Sequence, residues 1–152
     1  MTTPAPVHHG AFDIPAATFA YLERAAASLR EAITSTDVGM RYAHAHVSAL
    51  RATAALLAAR ARPVPAARRG RPVQRNAWVL LEEVAPEFGE WAQFFAAGAA
   101  KRAAAEAGSR RAVTEHEADD LVRDADRFLG LVEESLGMTR HEHAPVQLGQ
   151  VG

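Results

Sequence analysis

The chain has 152 residues, 49% of them hydrophobic and 23% charged, a balance that builds one compact core and argues against a second domain. It has no cysteine, which excludes disulfides and thiolate metal sites and makes a reducing, cytoplasmic setting the expected one. The net charge of −1 hides an uneven spread: residues 1–37 carry −2, residues 38–81 carry +8 without a single acid, and residues 82–152 carry −7.

The opening stretch, MTTPAPVHHG, lacks the basic start and apolar core of a signal peptide, and residues 1–11 read as a disordered tail in which His8 and His9 are surface side chains. No apolar run approaches the roughly 20 residues a membrane span needs, so no membrane partner is expected. DIPAATFAYLERAAASLREAI then predicts the first helix. Asp13 is its N-cap, Pro15 is tolerated in its first turn, and Phe19, Leu22, Ala26, Leu29 and Ile33 form an apolar stripe.

TSTD ends that helix and caps the next, over about residues 38 to 60. Met40, Ala43, Val47, Leu50, Ala54 and Leu57 follow a seven-residue repeat suited to antiparallel helix packing. His44 and His46 diverge by about 200° around this helix and cannot share one ion, and no His-x3-His pair occurs anywhere. His46 is placed at the edge of the core. Neither a metal nor any other cofactor is expected.

The next stretch, RARPVPAARRGRPVQR over residues 60–75, holds six arginines and three prolines without an acid. Prolines and Gly70 deny it a regular element, so it reads as a long exposed connection, and connections of that length are uncommon without a role. It is either a solvated linker, balanced by the acidic helices, or a grip for phosphate through Arg68, Arg69, Arg71 and Arg75.

Asn76 can cap a third helix, AWVLLEEVA, which Pro86 ends or kinks before the pattern resumes and stops at Gly108. Trp78, Phe88, Trp91, Phe94 and Phe95 supply most of the aromatic bulk of the core. The small run AAGAA around Gly98 permits close helix approach, either inside the bundle or across a dimer. In the final helix, Thr114 and Glu117 form a capping box and Gly137 stands at the exit. Ala118, Leu121, Ala125, Phe128, Val132 and Leu136 make its buried face, with Glu115, Asp119, Asp120, Arg123 and Asp124 on or near the wet side. From Met138 onward no pattern remains, so residues 138–152 read as a disordered tail with His141 and His143 at the surface.

These helices describe an all-α, up-and-down antiparallel bundle of four to five helices spanning residues 12–137. The strings RNAWVLLEEVAPEFGEWAQFFAAGAAKRAAAEAG and EADDLVRDADRFLGLVEESL resemble the core helices of HEPN domains, in particular a compact branch from high-GC bacteria. The resemblance implies a nucleotide- or RNA-binding bundle that forms homodimers. In its ribonuclease members it implies an Arg followed four to six residues later by His, at the start of the last long helix. Arg111 and His116 in RAVTEH fit that spacing, and Arg110 fits it at one more residue.

Metal-independent RNA cleavage needs a base near a ribose 2′-OH and a cation on the scissile phosphate, roles that His and Arg can fill. A third match, Arg41 with His46, lies inside a helix where five residues at about 100° leave the side chains roughly 140° apart, so it is set aside. Active members place a polar residue after the Arg, whereas Ala112 follows Arg111. Binding therefore ranks first: a HEPN-like module contacting RNA, a nucleotide or an acidic protein partner through Arg68, Arg69, Arg71, Arg75 and Arg110. The alternative is a metal-independent, toxin-like endoribonuclease using Arg111 and His116.

Overall fold

The computed structural model describes residues 14–60 and 76–141. The first helix starts later than expected: its N-cap position is Pro15, without a side-chain cap, so Asp13 is not the cap and Pro15 precedes the first turn. The tail 1–11, the four arginines expected to grip phosphate between the second and third helices, and His143 lie outside the described residues. In chain order the elements are α1 (Ala16–Thr34), α2 (Val38–Arg60), α3 (Ala77–Val84), a 3₁₀ turn (Pro86–Phe88), α4 (Gly89–Ala97), α5 (Ala99–Glu106) and α6 (Glu115–Ser135), with no strand among the described residues. This is the all-α bundle the periodicity predicts.

α1 and α2 form a hairpin across Ser35–Asp37, and α2 also packs against α6, α5 and α3. The turn is fixed locally, because Asp37 Oδ1 accepts the Met40 N–H at 3.0 Å and caps α2. Contact on several sides buries most of α2: Tyr42, Ala45, His46, Ala49, Ala52, Ala55 and Leu56 are inside. Of the expected stripe only Ala43 is buried. Met40 is exposed, and Val47, Leu50, Ala54 and Leu57 are half-buried.

On α1 the expected Leu22 and Leu29 are buried, but the rest of the inner face is Thr18, Ala25, Ser28 and Ala32, each one position before the expected Phe19, Ala26, Leu29 and Ile33, and Phe19 is 40% exposed. The reason is that hydroxyls cross between the two helices. Thr18 Oγ1 donates to Ala55 O at 3.0 Å, Ser48 Oγ donates to Ala25 O at 2.7 Å, and Arg51 Nη1 donates to Ser28 Oγ at 2.7 Å. Small side chains let the backbones approach, and a buried hydroxyl with a partner costs little.

Asn76 Oδ1 accepts the Trp78 N–H at 2.9 Å and starts α3, and Pro86 opens the turn that redirects the chain into α4. Trp78 stacks on Phe95 at 5.3 Å, Trp91 stacks on Phe95 at 5.8 Å, and Phe95 meets Phe128 of α6 edge-on at 5.1 Å. This aromatic cluster is the thick part of the core. α4 and α5, which read as one helix in the sequence, part at Gly98. A Cβ there would stand 2.7 Å from Tyr42 Oη, so the AAGAA run serves close approach inside the bundle.

The capping box of α6 is present: Thr114 Oγ1 accepts the Glu117 N–H and Glu117 Oε1 accepts the Thr114 N–H, both at 3.1 Å. Ala118, Leu121, Ala125, Phe128 and Val132 are buried as the spacing predicts. Asp119 is not on the wet side, because Arg41 Nη1 reaches it at 2.7 Å while the same guanidinium donates to Ser35 O, tying the α1–α2 turn to α6. Residues 138–141, expected to belong to a disordered tail, are docked on the bundle. Met138 packs on the core, its N–H donates to Glu133 O at 2.9 Å, and His141 is half-buried.

Candidate functional site

Two regions of the bundle carry polar groups suited to binding. The first is the corner between α5 and α6. α5 stops at Gly108, whose φ of +90° suits a residue without a Cβ, and the chain then exposes Arg110 and Arg111 before the α6 capping box. Arg110 lines a shallow cleft of about 540 Å³ together with Asp37, Met40 and Gly108. His116, in the first turn of α6, is 86% exposed at its side chain and places Nε2 3.1 Å from Asp120 Oδ2. No hydrogen bond or ion pair among the described residues joins His116 to Arg110 or Arg111.

Six of the ten other Lys and Arg side chains in the described bundle have acidic partners, Arg41 with Asp119, Arg60 with Glu87, Lys101 with Glu117, Arg102 with Glu106, Arg123 with Asp120 and Arg140 with Glu134, while Arg24, Arg30, Arg51 and Arg127 have none in ion-pair range among the described residues. Arg110 and Arg111 have no acid within ion-pair distance among the described residues. They stand side by side and free to meet an anion.

The Arg41 and His46 spacing makes no site, as the helix geometry predicts: Arg41 turns to Asp119, and His46 turns into the aromatic cluster. There His46 Nε2 lies 2.8 Å from Phe95 O, and because a carbonyl only accepts, Nε2 carries the proton. Burial pushes the His46 pKa down, opposed by that hydrogen bond. Its Nδ1 is buried without a partner among the described residues. His46 is thus deeper than the core edge where the sequence placed it.

The second region is a cavity of about 350 Å³ between α2, the α4–α5 junction and α6. Its wall at Gly98 is where Tyr42 Oη sits, since that oxygen is the nearest atom to a Cβ built there. Phe94, 47% exposed, and Leu121 add apolar surface, while Lys101, Glu117, Asp120 and Asp124 stand around it. Burial raises the Tyr42 hydroxyl pKa, and burial followed by the charge of Asp120 raises that of the Asp124 carboxyl against the opposing Arg127 and Arg123. Sequence reasoning missed this recess because it is assembled from four separate helices, α2, α4, α5 and α6. The available signal was Gly98, a costly residue for a helix unless something approaches it.

His141 differs from its expected surface role. Its two ring nitrogens reach Glu133 and Asp126, and the three side chains are only 18%, 10% and 14% exposed. The hydrogen bond to Asp126, with Glu133 adding to it against partial burial, pushes the imidazole pKa up to about 9. Among the described residues no group of His, Asp and Glu is arranged to hold a metal ion, and no helix is long and apolar enough to cross a membrane.

With this geometry in place, the profile of the SAV_6107-like HEPN family matches residues 32–133, from the end of α1 almost to the end of α6. No curated protein and no solved structure gave a significant match to the chain.

Proposed function

Since the chain belongs to the SAV_6107-like HEPN family, we propose that it is a binding and interaction module whose α5–α6 corner holds RNA by its backbone phosphates. One observation carries this reading: Arg110 and Arg111 are adjacent, exposed, and without an acidic partner among the described residues. A phosphate backbone offers charges at short intervals, and guanidinium forks meet phosphate oxygens in two-pronged hydrogen bonds. Such contacts position a strand without reading its bases. Arg68, Arg69, Arg71 and Arg75, outside the described residues, are proposed as further phosphate contacts. In this reading the protein works in the cytoplasm as a homodimer, which light scattering at micromolar concentration tests; a monomer overturns the dimer.

The direct experiment is RNA binding measured by fluorescence anisotropy across salt concentrations. For each phosphate contact, log affinity falls against log salt with a slope of about −0.7 on single strands. Replacing Arg110 and Arg111 by Ser is expected to flatten the slope by about 1.4, and the four-Ser variant at 68, 69, 71 and 75 to flatten it by up to about 2.8. No binding by the parent at about 50 mM salt would overturn the proposal. Preferential capture of an acidic protein would reassign the same corner to a protein partner.

A second reading, metal-independent cleavage of RNA, draws support from the His116–Asp120 pair, in which a carboxylate holds an exposed imidazole five residues after Arg111. Proton transfer from a ribose 2′-OH to His116, with Arg111 on the phosphate, would be the chemistry. It is tested by incubating single-stranded RNA with the protein in EDTA. Cleavage that disappears in both His116→Ala and Arg111→Ala establishes it, and intact RNA leaves the binding module.

A further inference from the structure

The recess between α2, the α4–α5 junction and α6 is built from side chains other than Arg110, Arg111 and His116, and shares only Asp120, the partner of His116, with the α5–α6 corner. Its volume, about 350 Å³, falls in the range that encloses small organic ligands. Tyr42 is 6% exposed, yet its hydroxyl makes no hydrogen bond among the described residues and stands at the Gly98 wall of the recess. A phenol oxygen that faces a recess from a buried ring and has no protein partner is a vacant hydrogen-bonding position.

The surroundings decide the charge of what would fill it. Lys101 and Glu117 pair with each other and largely cancel. That leaves Asp120 and Asp124, one turn apart on α6 and both bordering the recess. Asp120 has contacts to His116 and Arg123, but these pairs are exposed, and exposed pairs hold their members weakly. Asp124 is partly desolvated beside the like charge of Asp120, and together these outweigh the nearby Arg127 and Arg123, as the raised pKa of its carboxyl reflects. A cation placed between them relieves that repulsion. Phe94 offers an open ring for an apolar stem or for the cation itself.

We infer that this recess is a binding site for a small organic cation, an amidine, guanidine or amine on an apolar stem, with Asp124 and Asp120 taking the charge, Tyr42 Oη accepting an N–H, and Phe94 covering the stem. The site needs no RNA and no second copy of the chain. Gly98 keeps the space open, because a side chain there would press on the Tyr42 hydroxyl.

Benzamidine is the probe, titrated into the full-length protein and followed by two-dimensional amide NMR, with benzoate as the matched anion and a capped arginine tripeptide as the macromolecular alternative. The inference expects shifts concentrated at Tyr42, Gly98, Lys101 and Asp124. It also expects an affinity that drops at least about tenfold in Asp124→Asn and about three- to tenfold in Tyr42→Phe, the range of one charged and one neutral hydrogen bond. Both replacements are isosteric, and an unchanged melting temperature shows that the fold is kept. Benzoate binding as well as benzamidine, shifts centred elsewhere, or no shift at millimolar probe would each overturn the inference. Binding of the tripeptide alone would overturn the small-ligand assignment.

Discussion

Two histidines of this chain each meet carboxylates of α6, and they have opposite uses. At the start of the helix His116 extends into solvent and touches Asp120 from the same helix face, a contact that water screens and a ligand could displace. At the far end His141 comes back from beyond the helix, and its ring is enclosed by Asp126 and Glu133. Around that ring the chain is held at other points as well, with Met138 N–H on Glu133 O and the Arg140 side chain lying over Gly130. The same pair of residue types is a labile surface contact in one place and a fastening in the other, and burial makes the difference.

The largest effect expected along α6 comes from the charge pair that faces inward. Asp119→Ala leaves the Arg41 guanidinium buried without its carboxylate and should cost about 3 kcal/mol in urea unfolding. Replacing both partners by apolar residues of similar size should recover much of that loss, since no lone charge then remains. If Asp119→Ala costs no more than an exposed substitution, the distinction between inward and outward pairs fails.

His141→Ala should come next, at about 2 kcal/mol near neutral pH, because Asp126 and Glu133 are left facing each other. Its pH dependence sharpens the contrast. The folded pKa of about 9 lies above the unfolded value of 6.5, so the folded state holds the proton more tightly. The clamp's contribution is therefore complete below about pH 6.5 and is lost as pH rises from there to about 9. His46 has the opposite sign, since burial depresses its pKa: its contribution is complete above 6.5 and declines as acid forces a proton onto a buried ring. Stability of the parent should thus fall on both sides of neutrality. In His141→Ala the alkaline fall should shrink, and in His116→Ala it should persist.

The smallest effect is His116→Ala itself, expected to change stability by no more than about 0.5 kcal/mol, as exposed substitutions do. A larger loss would mean that this corner supports the fold and is less free to bind.

Much of the bundle is legible in the sequence because its punctuation is local. Asp37, Asn76 and the Thr114–Glu117 box state where helices begin, and Gly108 and Gly137 state where they end, each through bonds made within a few residues. Which way a helix faces is a tertiary matter, and there the reading slips. Thr18 is inside and Phe19 outside because a hydroxyl finds a carbonyl on α2, and Asp119 is inside because Arg41 arrives from another helix. The docking of residues 138–141 has no period to read, since it depends on a single ring meeting two distant acids. The candidate corner was legible as a set of residues, Arg110, Arg111 and His116, all exposed at one end of α6. The recess at Tyr42 was not, because no single segment contains it.

The two ends of the arginine-rich connection are secured separately: Arg60 at the close of α2 pairs with Glu87, and Asn76 caps α3 just ahead of Trp78 in the aromatic core. With both posts fixed by their own contacts, the span between them can change in length or charge at little cost to the fold. Doubling a closed loop adds only about 0.6 kcal/mol of entropy. The bundle can therefore keep its architecture while the length and charge of that span change, which separates what the protein attracts from the scaffold that carries it.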